Sequence, residues 1–267
     1  MRSLGVSEVP SRIWRGRLVD GSRTLVQEVP IGFVYDGGTE AVMMATPDNL
    51  EDFAIGFSLS ERIIASLEEV EGLDVVTVAR GVELRMTLSV GRREQLITRR
   101  RVRAGPAGCG LCGIESIAEA LPGLPVLTST LTVGAQQIIG AMEALVPLQT
   151  LNAQTRSAHA AAFFLPGEGV IAVREDVGRH NALDKLGGAL GRTGRSAASG
   201  VVLMTSRVSV ELVQKVAVMG SPIIAAVSAP TSLAVEEAER AGVTIVGIVR
   251  RDGLEVFSRK ERVIDAT

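Results

Sequence analysis

Between residues 158 and 249 the chain alternates short, almost wholly apolar runs with amphipathic stretches. AHAAAFF and GVIAV come first, followed by RHNALDKLGGAL, GVVLMT, SVELVQKVAVMG, PIIAAVS, TSLAVEEAERAG and VTIVGIV. A strand that is apolar along its whole length offers no face to water, so both of its sides must be covered. Three successive strand–helix steps cover them through right-handed crossovers. The expectation is an α/β domain with a mainly parallel sheet and helices on both faces. A helix VGAQQIIGAMEAL precedes it, with Thr132 placed to cap its start.

The first hundred residues read differently, as strands with one strong helix. Asp48 and Glu51 have the spacing of a capping box, which predicts a helix over DNLEDFAIGFSLSERII that buries Phe53, Phe57 and Ile64. LDVVTV and VELRMTLSV then flank Ala79, Arg80 and Gly81. The second run sets Val82, Leu84, Met86 and Leu88 opposite Glu83, Arg85, Thr87 and Ser89, the period-two alternation of a half-exposed hairpin. Residues 91–108 are rich in arginine and end in glycine, proline and alanine, and read as a surface connection. Arg99, Arg100, Arg101 and Arg103 suit a solvated edge or, functionally, an anion-attracting rim. The resulting division is a smaller N-terminal α+β subdomain over 1–105, a mobile loop with a following helix over 106–127, and the α/β domain over 128–267.

Twenty-eight basic and thirty acidic side chains leave a net charge of −2, which excludes a broad surface for neutralising nucleic acid. The longest apolar runs, at 223–227 and 243–249, fall far short of the roughly 20 residues that span a bilayer. The N-terminus has no apolar export segment. A cytoplasmic protein is expected, with no membrane and no nucleic acid among its partners.

The two cysteines, Cys109 and Cys112, are two residues apart in a sequence that is half glycine, GCGLCG. A bridge between them closes too small a loop to staple a fold, so they are chemical candidates. The helix expected from Ile114 would favour thiolate over thiol at its N-terminus. Three chemistries use such a pair. Zinc needs further ligands, and the chain has only His159 and His180; neither has the glutamate two residues on that a zinc deaminase requires, so no catalytic zinc is expected. A structural site of two cysteines and two histidines stays open. A thioredoxin-like pair would follow a buried strand, which the arginine-rich approach is not. A persulfide relay, in which a thiolate accepts a sulfane sulfur and passes it on, suits a mobile arm.

A second cluster lies at the strand ends. Ligands of such sheets sit outside the carboxyl ends of the strands, where helix N-termini offer amide donors to anions. There the sequence places Thr205, Ser206 and Arg207, then Ser228, Thr231 and Ser232, then Arg250 and Arg251. Ser209, Thr231 and Ser232 each suit a plain helix cap; their repetition at successive strand ends favours a binding site. No GxGxxG or P-loop pattern accompanies them. The stretch from Arg174 to Lys185 crowds six charged groups and His180 into twelve residues, with Asp184 one helical turn after His180 and able to orient its ring.

At these residues the chain resembles the formate dehydrogenase accessory sulfurtransferases, the FdhD family. The likeness is carried by EDFAIGF from Glu51, CGLCG from Cys109, REDVGRHNALDK from Arg174, SRVS from Ser206, ELVQK from Glu211 and VSAPTSLA from Val227. It implies that Cys109, with Cys112, relays a persulfide received from a cysteine desulfurase. The sulfur passes to a molybdenum bis(molybdopterin guanine dinucleotide) cofactor, bound as substrate and destined for formate dehydrogenase, with GDP as a simple mimic. It further implies a homodimer and a cytidine-deaminase-like C-terminal domain without the deaminase zinc. The candidate cofactor-binding residues are His159, Arg179, His180, Asn181, Lys185, Arg207, Ser209, Ser228, Thr231 and Ser232. To these the resemblance adds Leu254, Glu255, Val256, Phe257, Ser258 and Arg259. The chain departs from the family's usual pattern at Arg156 and Ser157 and at Arg62, where glycine is common, and at Phe257, where tyrosine is usual. A module that only holds the cofactor, without carrying sulfur, is the competing reading.

Overall fold

The computed structural model describes residues 5–102 and 121–265. Strands β1 (Val6–Trp14) and β2 (Leu18–Val26) form an antiparallel ribbon of their own. β3 (Val29–Tyr35), β4 (Gly38–Ala45), β5 (Val70–Val78) and β6 (Gly81–Leu88) make a four-stranded sheet in the order β4-β3-β6-β5. Helix α1 (Leu50–Ser60) covers one face, where Ile31, Phe33, Tyr35, Leu84 and Met86 meet Phe53 and Phe57. The alternation in β6 does what it predicts: Leu84, Met86 and Leu88 are buried while Arg85 and Thr87 are exposed.

Three local expectations are corrected. α1 has no capping box: Asp48 Oδ1 accepts from the Asn49 amide at 2.8 Å, Asn49 is left-handed (φ 51°), and Glu51 pairs with Arg192 instead. A distant guanidinium outcompetes a local cap. The arginine-rich stretch after Ser89 is not irregular connection throughout but helix α2 (Val90–Val102). Arginine, glutamate, glutamine and leucine are strong helix formers, and Leu96 gives the segment a buried anchor. Thr132 does not cap the next helix, α3 (Ala135–Leu145); Gln137 Oε1 reaches back to the Gly134 amide at 3.0 Å.

The second layer system begins with the two-residue strand β7 (Val133–Gly134), paired with β14 (Val263–Ile264), and continues through α3 and the short α4 (Thr150–Thr155). Its sheet is built from β8 (His159–Leu165), β9 (Gly169–Asp176), β10 (Val201–Met204), β11 (Ile223–Ala226), β12 (Thr244–Arg250) and β13 (Gly253–Val256). The order is β13-β12-β11-β10-β8-β9. Only β10, β11 and β12 run parallel to each other; β8 is antiparallel to both β10 and β9, and β13 to β12. The sheet is therefore mixed rather than mainly parallel. Continuous apolarity reports burial on both faces and not strand direction, which is why the pattern misled.

Helices do lie on both faces. α5 (Arg179–Arg192), α6 (Val210–Met219) and α7 (Ser232–Ala241) pack on Ala161, Phe163, Val202, Met204, Ile224 and Ile245, while α3 packs on the alternate residues of the same strands, among them Ala162, Val201, Leu203 and Ile223. The two sheet systems are joined where α1 crosses α5. A Cβ at Gly56 would overlap the carbonyl oxygen of Asp184, and one at Gly188 that of Asp52. Backbone lies against backbone at this crossing, which only glycine permits.

Candidate functional site

β8 runs against β10, so its first residue, His159, stands beside the carboxyl end of β10. The Ala160 amide donates to Thr205 Oγ1 at 2.8 Å, tying that end to the loop after β10. β9 ends at the same edge, and Gly178 turns the chain into α5, so that Arg179 and His180 form its first turn. The loops after β10 and β11 zip together there: Val208 bridges Pro230, and the Thr231 amide donates to the Val208 carbonyl at 3.0 Å. The Ser228 carbonyl accepts from the Ile248 amide of β12. His159, Arg179, His180, Arg207, Ser209, Ser228 and Thr231 thus share one edge, as the strand-end argument expects.

Their hydroxyls are used unequally. Thr231 is a working cap, its Oγ1 accepting from the Ala234 amide at 3.3 Å, and Ser232 is the exposed first residue of α7. Ser209 occupies the N-cap position of α6 but makes no capping bond. Its Oγ is buried beside Glu211 without a hydrogen bond of ordinary geometry. Arg179 Nε and His180 Nε2 are likewise shielded from solvent and without a hydrogen-bond partner. Buried polar atoms rarely go unpaired, because each forfeits its hydration for nothing.

His180 is not oriented by Asp184 as its spacing suggests. Its nearest carboxylate is Glu211, with Oε2 4.0 Å from Nε2, beyond hydrogen-bond range. Burial, reinforced by the Arg179 and Lys215 charges, pushes the His180 pKa down to about 4 against the opposing pull of Glu211 and Glu61. Partial burial and Arg179 lower His159 as well. Both rings are neutral at pH 7, and each offers a donor and an acceptor.

The rest of the charged block faces away from this edge. Asp176 and Lys185, both fully buried, form an ion pair at 2.7 Å. Asp176 Oδ2 also accepts from the Thr46 amide, Oδ1 accepts from the Gly178 amide and from Asn181 Nδ2, and Lys185 Nζ donates to the Thr46 carbonyl at 2.9 Å. Asn181 Nδ2 reaches the Met44 carbonyl. Asn181 and Lys185 therefore bind the end of β4 to α5 rather than line the strand-end site. Beside them Asp52, on α1, receives Arg174 and Arg192. Lys215 is held by Asp184, Ser60 and Glu61; burial works to lower its pKa, but Asp184 and Glu61 outweigh it and raise it. Sequence reading missed Thr46, Asp52, Ser60 and Glu61. A carboxylate beside Phe53 on the apolar face of α1 was the available signal.

The C-terminal stretch is divided in the same way. Leu254, Glu255 and Val256 form β13, which runs away from the strand-end edge, and Phe257 packs near Gly247 and Pro230. The Ser258 hydroxyl is consumed in the sheet, donating to the Val243 carbonyl and accepting from the Ile245 amide. Arg259 stands at the opposite end, beside a cavity of about 490 Å³ lined by Thr128, Ser129, Arg240 and Arg262. A second cavity, of about 430 Å³, lies between α1, α5 and α6 with Arg62, Arg92 and Arg195 on its wall. Neither coincides with the strand-end site. Cys109 and Cys112, the arginine at 103 and the helix expected from Ile114 lie outside the described residues.

The family model described as FdhD/NarQ matches residues 26–264. The chain belongs to the FdhD/NarQ family. It is 50% identical over 250 residues to the sulfur carrier protein FdhD of Agrobacterium fabrum, covering 93% of this chain and 92% of that one. Against the protein of the same name from Brucella abortus the identity is 50% over 248 residues, covering 92% of each. A crystal structure from Desulfotalea psychrophila, described as a formate dehydrogenase accessory protein, shares the fold with a TM-score of 0.76 at 24% identity, over 97% of this chain and 100% of that one. Two of the departures from the family's usual pattern have a backbone reading. Arg62 (φ 55°) and Arg156 (φ 56°) are both left-handed, the conformation that glycine adopts without a Cβ penalty.

Proposed function

We propose that this chain is a sulfur carrier that takes a sulfane sulfur from a cysteine desulfurase onto Cys109 and delivers it to a molybdenum bis(molybdopterin guanine dinucleotide) cofactor, in the maturation of a formate dehydrogenase. The observation that carries the reading is the trio of buried polar groups without an ordinary hydrogen bond, Arg179 Nε, His180 Nε2 and Ser209 Oγ, at the edge where three parallel strands end. These groups, with Arg207 and the amides that begin α5 and α6, fit a phosphate-bearing nucleotide. The names of its relatives and the glycine-flanked cysteine pair support the sulfur-carrying half.

In the loading step the Cys109 thiolate attacks the outer sulfur of the donor persulfide; the S–S bond breaks and the donor leaves as thiolate. In delivery the terminal sulfur bonds to molybdenum and the Cys109 thiolate departs. The sulfane sulfur becomes sulfide, with both electrons drawn from molybdenum in its reduced state. His159, Arg179, Arg207 and Ser209 hold the nucleotide end of this substrate.

Intact-mass measurement after incubation with a cysteine desulfurase and cysteine tests the first half. One added sulfur is expected, lost in Cys109→Ala; no added sulfur on either cysteine favours a module that only holds the cofactor. Calorimetry with GDP tests the second half. Arg207→Ala weakens binding about tenfold or more by removing a charge-assisted contact, whereas Arg15→Ala, on the β1–β2 ribbon, does not.

A further inference from the structure

We infer that the tip of the β1–β2 ribbon is a docking site for an anionic lipid surface, an inference independent of the sulfur-carrier reading above. The two strands pair through nine positions, about 30 Å of ribbon, yet no residue of either is buried. A two-stranded ribbon gains little stability in water by itself. Its base is tied down, with the Gln27 amide donating to the Gly5 carbonyl at 2.7 Å and Arg23 to the Thr155 carbonyl at 3.5 Å. The far end stands free.

The ribbon changes character along its length. On the stem apolar residues face polar ones, Val9 opposite Arg23 and Leu25 opposite Ser7, and Arg12 lies beside Asp20 at 3.5 Å. The last two pairs are wholly apolar: Trp14 opposite Leu18 on one face, Ile13 opposite Val19 on the other. Trp14, the chain's single tryptophan, is 70% exposed and Leu18 53%. A ribbon that docks on a protein surface hides one face and shows the other to water. A tip that is apolar on both faces suits a medium that surrounds it. The turn supplies the charge: Arg15 and Arg17 flank Gly16 (φ 80°), and among the described residues no ion pair engages either arginine. Tryptophan settles where headgroups meet acyl chains, and an arginine head reaches lipid phosphate while its methylene stem lies along apolar surface. The expectation of no membrane partner rests on the lack of a spanning segment. No helix among the described residues is long and apolar enough to cross a membrane, and a hairpin lying in the headgroup layer needs none.

A single tryptophan makes the test direct. The full chain is mixed with vesicles of phosphatidylcholine, or of phosphatidylcholine and phosphatidylglycerol in equal parts, and Trp14 emission and flotation are read together. With the anionic vesicles a shift to shorter wavelength and co-flotation are expected, both lost at about 1 M salt, where charges are screened. Phosphatidylcholine alone binds more weakly. Arg15→Ser combined with Arg17→Ser weakens binding about twentyfold or more, at roughly fivefold per charge, whereas Arg80→Ser, in the turn of the β5–β6 hairpin, does not. Trp14→Ser, followed by flotation, weakens it as well. All of these variants are expected to keep the wild-type denaturation midpoint, because none of the substituted residues is buried. Emission that vesicles leave unchanged overturns the assignment, as does equal binding to the two kinds of vesicle or equal binding by the double arginine variant. A shift to shorter wavelength that appears without lipid as the protein is concentrated also overturns it, and gives the tip to a second copy of the chain instead.

Discussion

Asp176, Asn181, Asp184 and Lys185 stand within the same twelve residues as Arg179 and His180, yet the two groups live under opposite rules. At the seam between α1, β4 and α5 the charged and polar groups described above are matched: Asp176 with Lys185, Asn181 with Met44, Asp184 with Lys215. At the strand-end edge Arg179 Nε, His180 Nε2 and Ser209 Oγ make no hydrogen bond of ordinary geometry, and the nearest carboxylate to the last two is Glu211. Matched buried charges hold two layers in register, and removing one partner leaves the other stranded. On the proposed reading, the unmatched groups are the ones that meet the nucleotide. A dense charged motif is thus two devices that happen to share a helix, one facing each way.

The sharpest way to break this comparison is at the seam's glycines. Gly188→Ala forces α1 and α5 apart, because its Cβ would occupy the position of the Asp52 carbonyl oxygen. We expect a loss of several kcal/mol, about 3 or more, or failure to fold, read by chemical denaturation. Gly140→Ala on α3, where nothing lies within 4 Å of the new Cβ, should instead gain ~0.5–1 kcal/mol. A mild Gly188→Ala would mean that the two helices are free to separate.

Next comes the ion pair. Lys185→Met strands Asp176 in a fully buried site and should cost about 3–5 kcal/mol. Arg179→Met, two turns away on the unmatched side, should leave stability unchanged or slightly raised while weakening GDP. Equal destabilisation by both variants would erase the distinction between seam and site.

The third test uses acid. The folded pKa of His180, about 4, lies below the ordinary value of 6.5, so the unfolded chain binds the proton more readily. The contribution of this residue is intact above pH 6.5 and is lost as pH falls from there towards 4. His180→Asn should flatten that part of the stability profile, measured by denaturation at a series of pH values; an unchanged slope would show that the ring is not held neutral by its surroundings. The smallest effect is expected at Arg156→Gly. Relief of the left-handed backbone should add up to about 1 kcal/mol to the denaturation free energy, with no change in GDP binding.

Much of the fold was legible because burial leaves a pattern. The continuous runs at β10, β11 and β12, the alternation in β6 and the apolar stripe of α5 each state how many of their faces meet water. Direction does not leave such a trace, so the apolar runs of β8 and β9 suit a parallel sheet as well as the antiparallel pairing they adopt. The site was legible in part for a similar reason: hydroxyls and Arg207 at successive strand ends follow from the order of elements alone. Asn181 and Lys185 were grouped with them because a sequence shows that charges are close and not which way they face.

What the sequence by itself determined is the chemistry on offer and the periodicity that buries it: two cysteines among glycines, two histidines, and a set of strands that must be covered on both sides. Tertiary structure alone decided the pairing. Asp184 could have met His180 one turn away, and its contact with Lys215 and Ser60 became available only once α1 and α6 had packed against α5. Glu51 could have capped its own helix, and Arg192 claimed it from another. Local hydrogen bonds to exposed groups are worth little net, because water competes for both partners. At Asp184 the buried partner wins, since a charge removed from water gains most from the opposite charge that was buried with it.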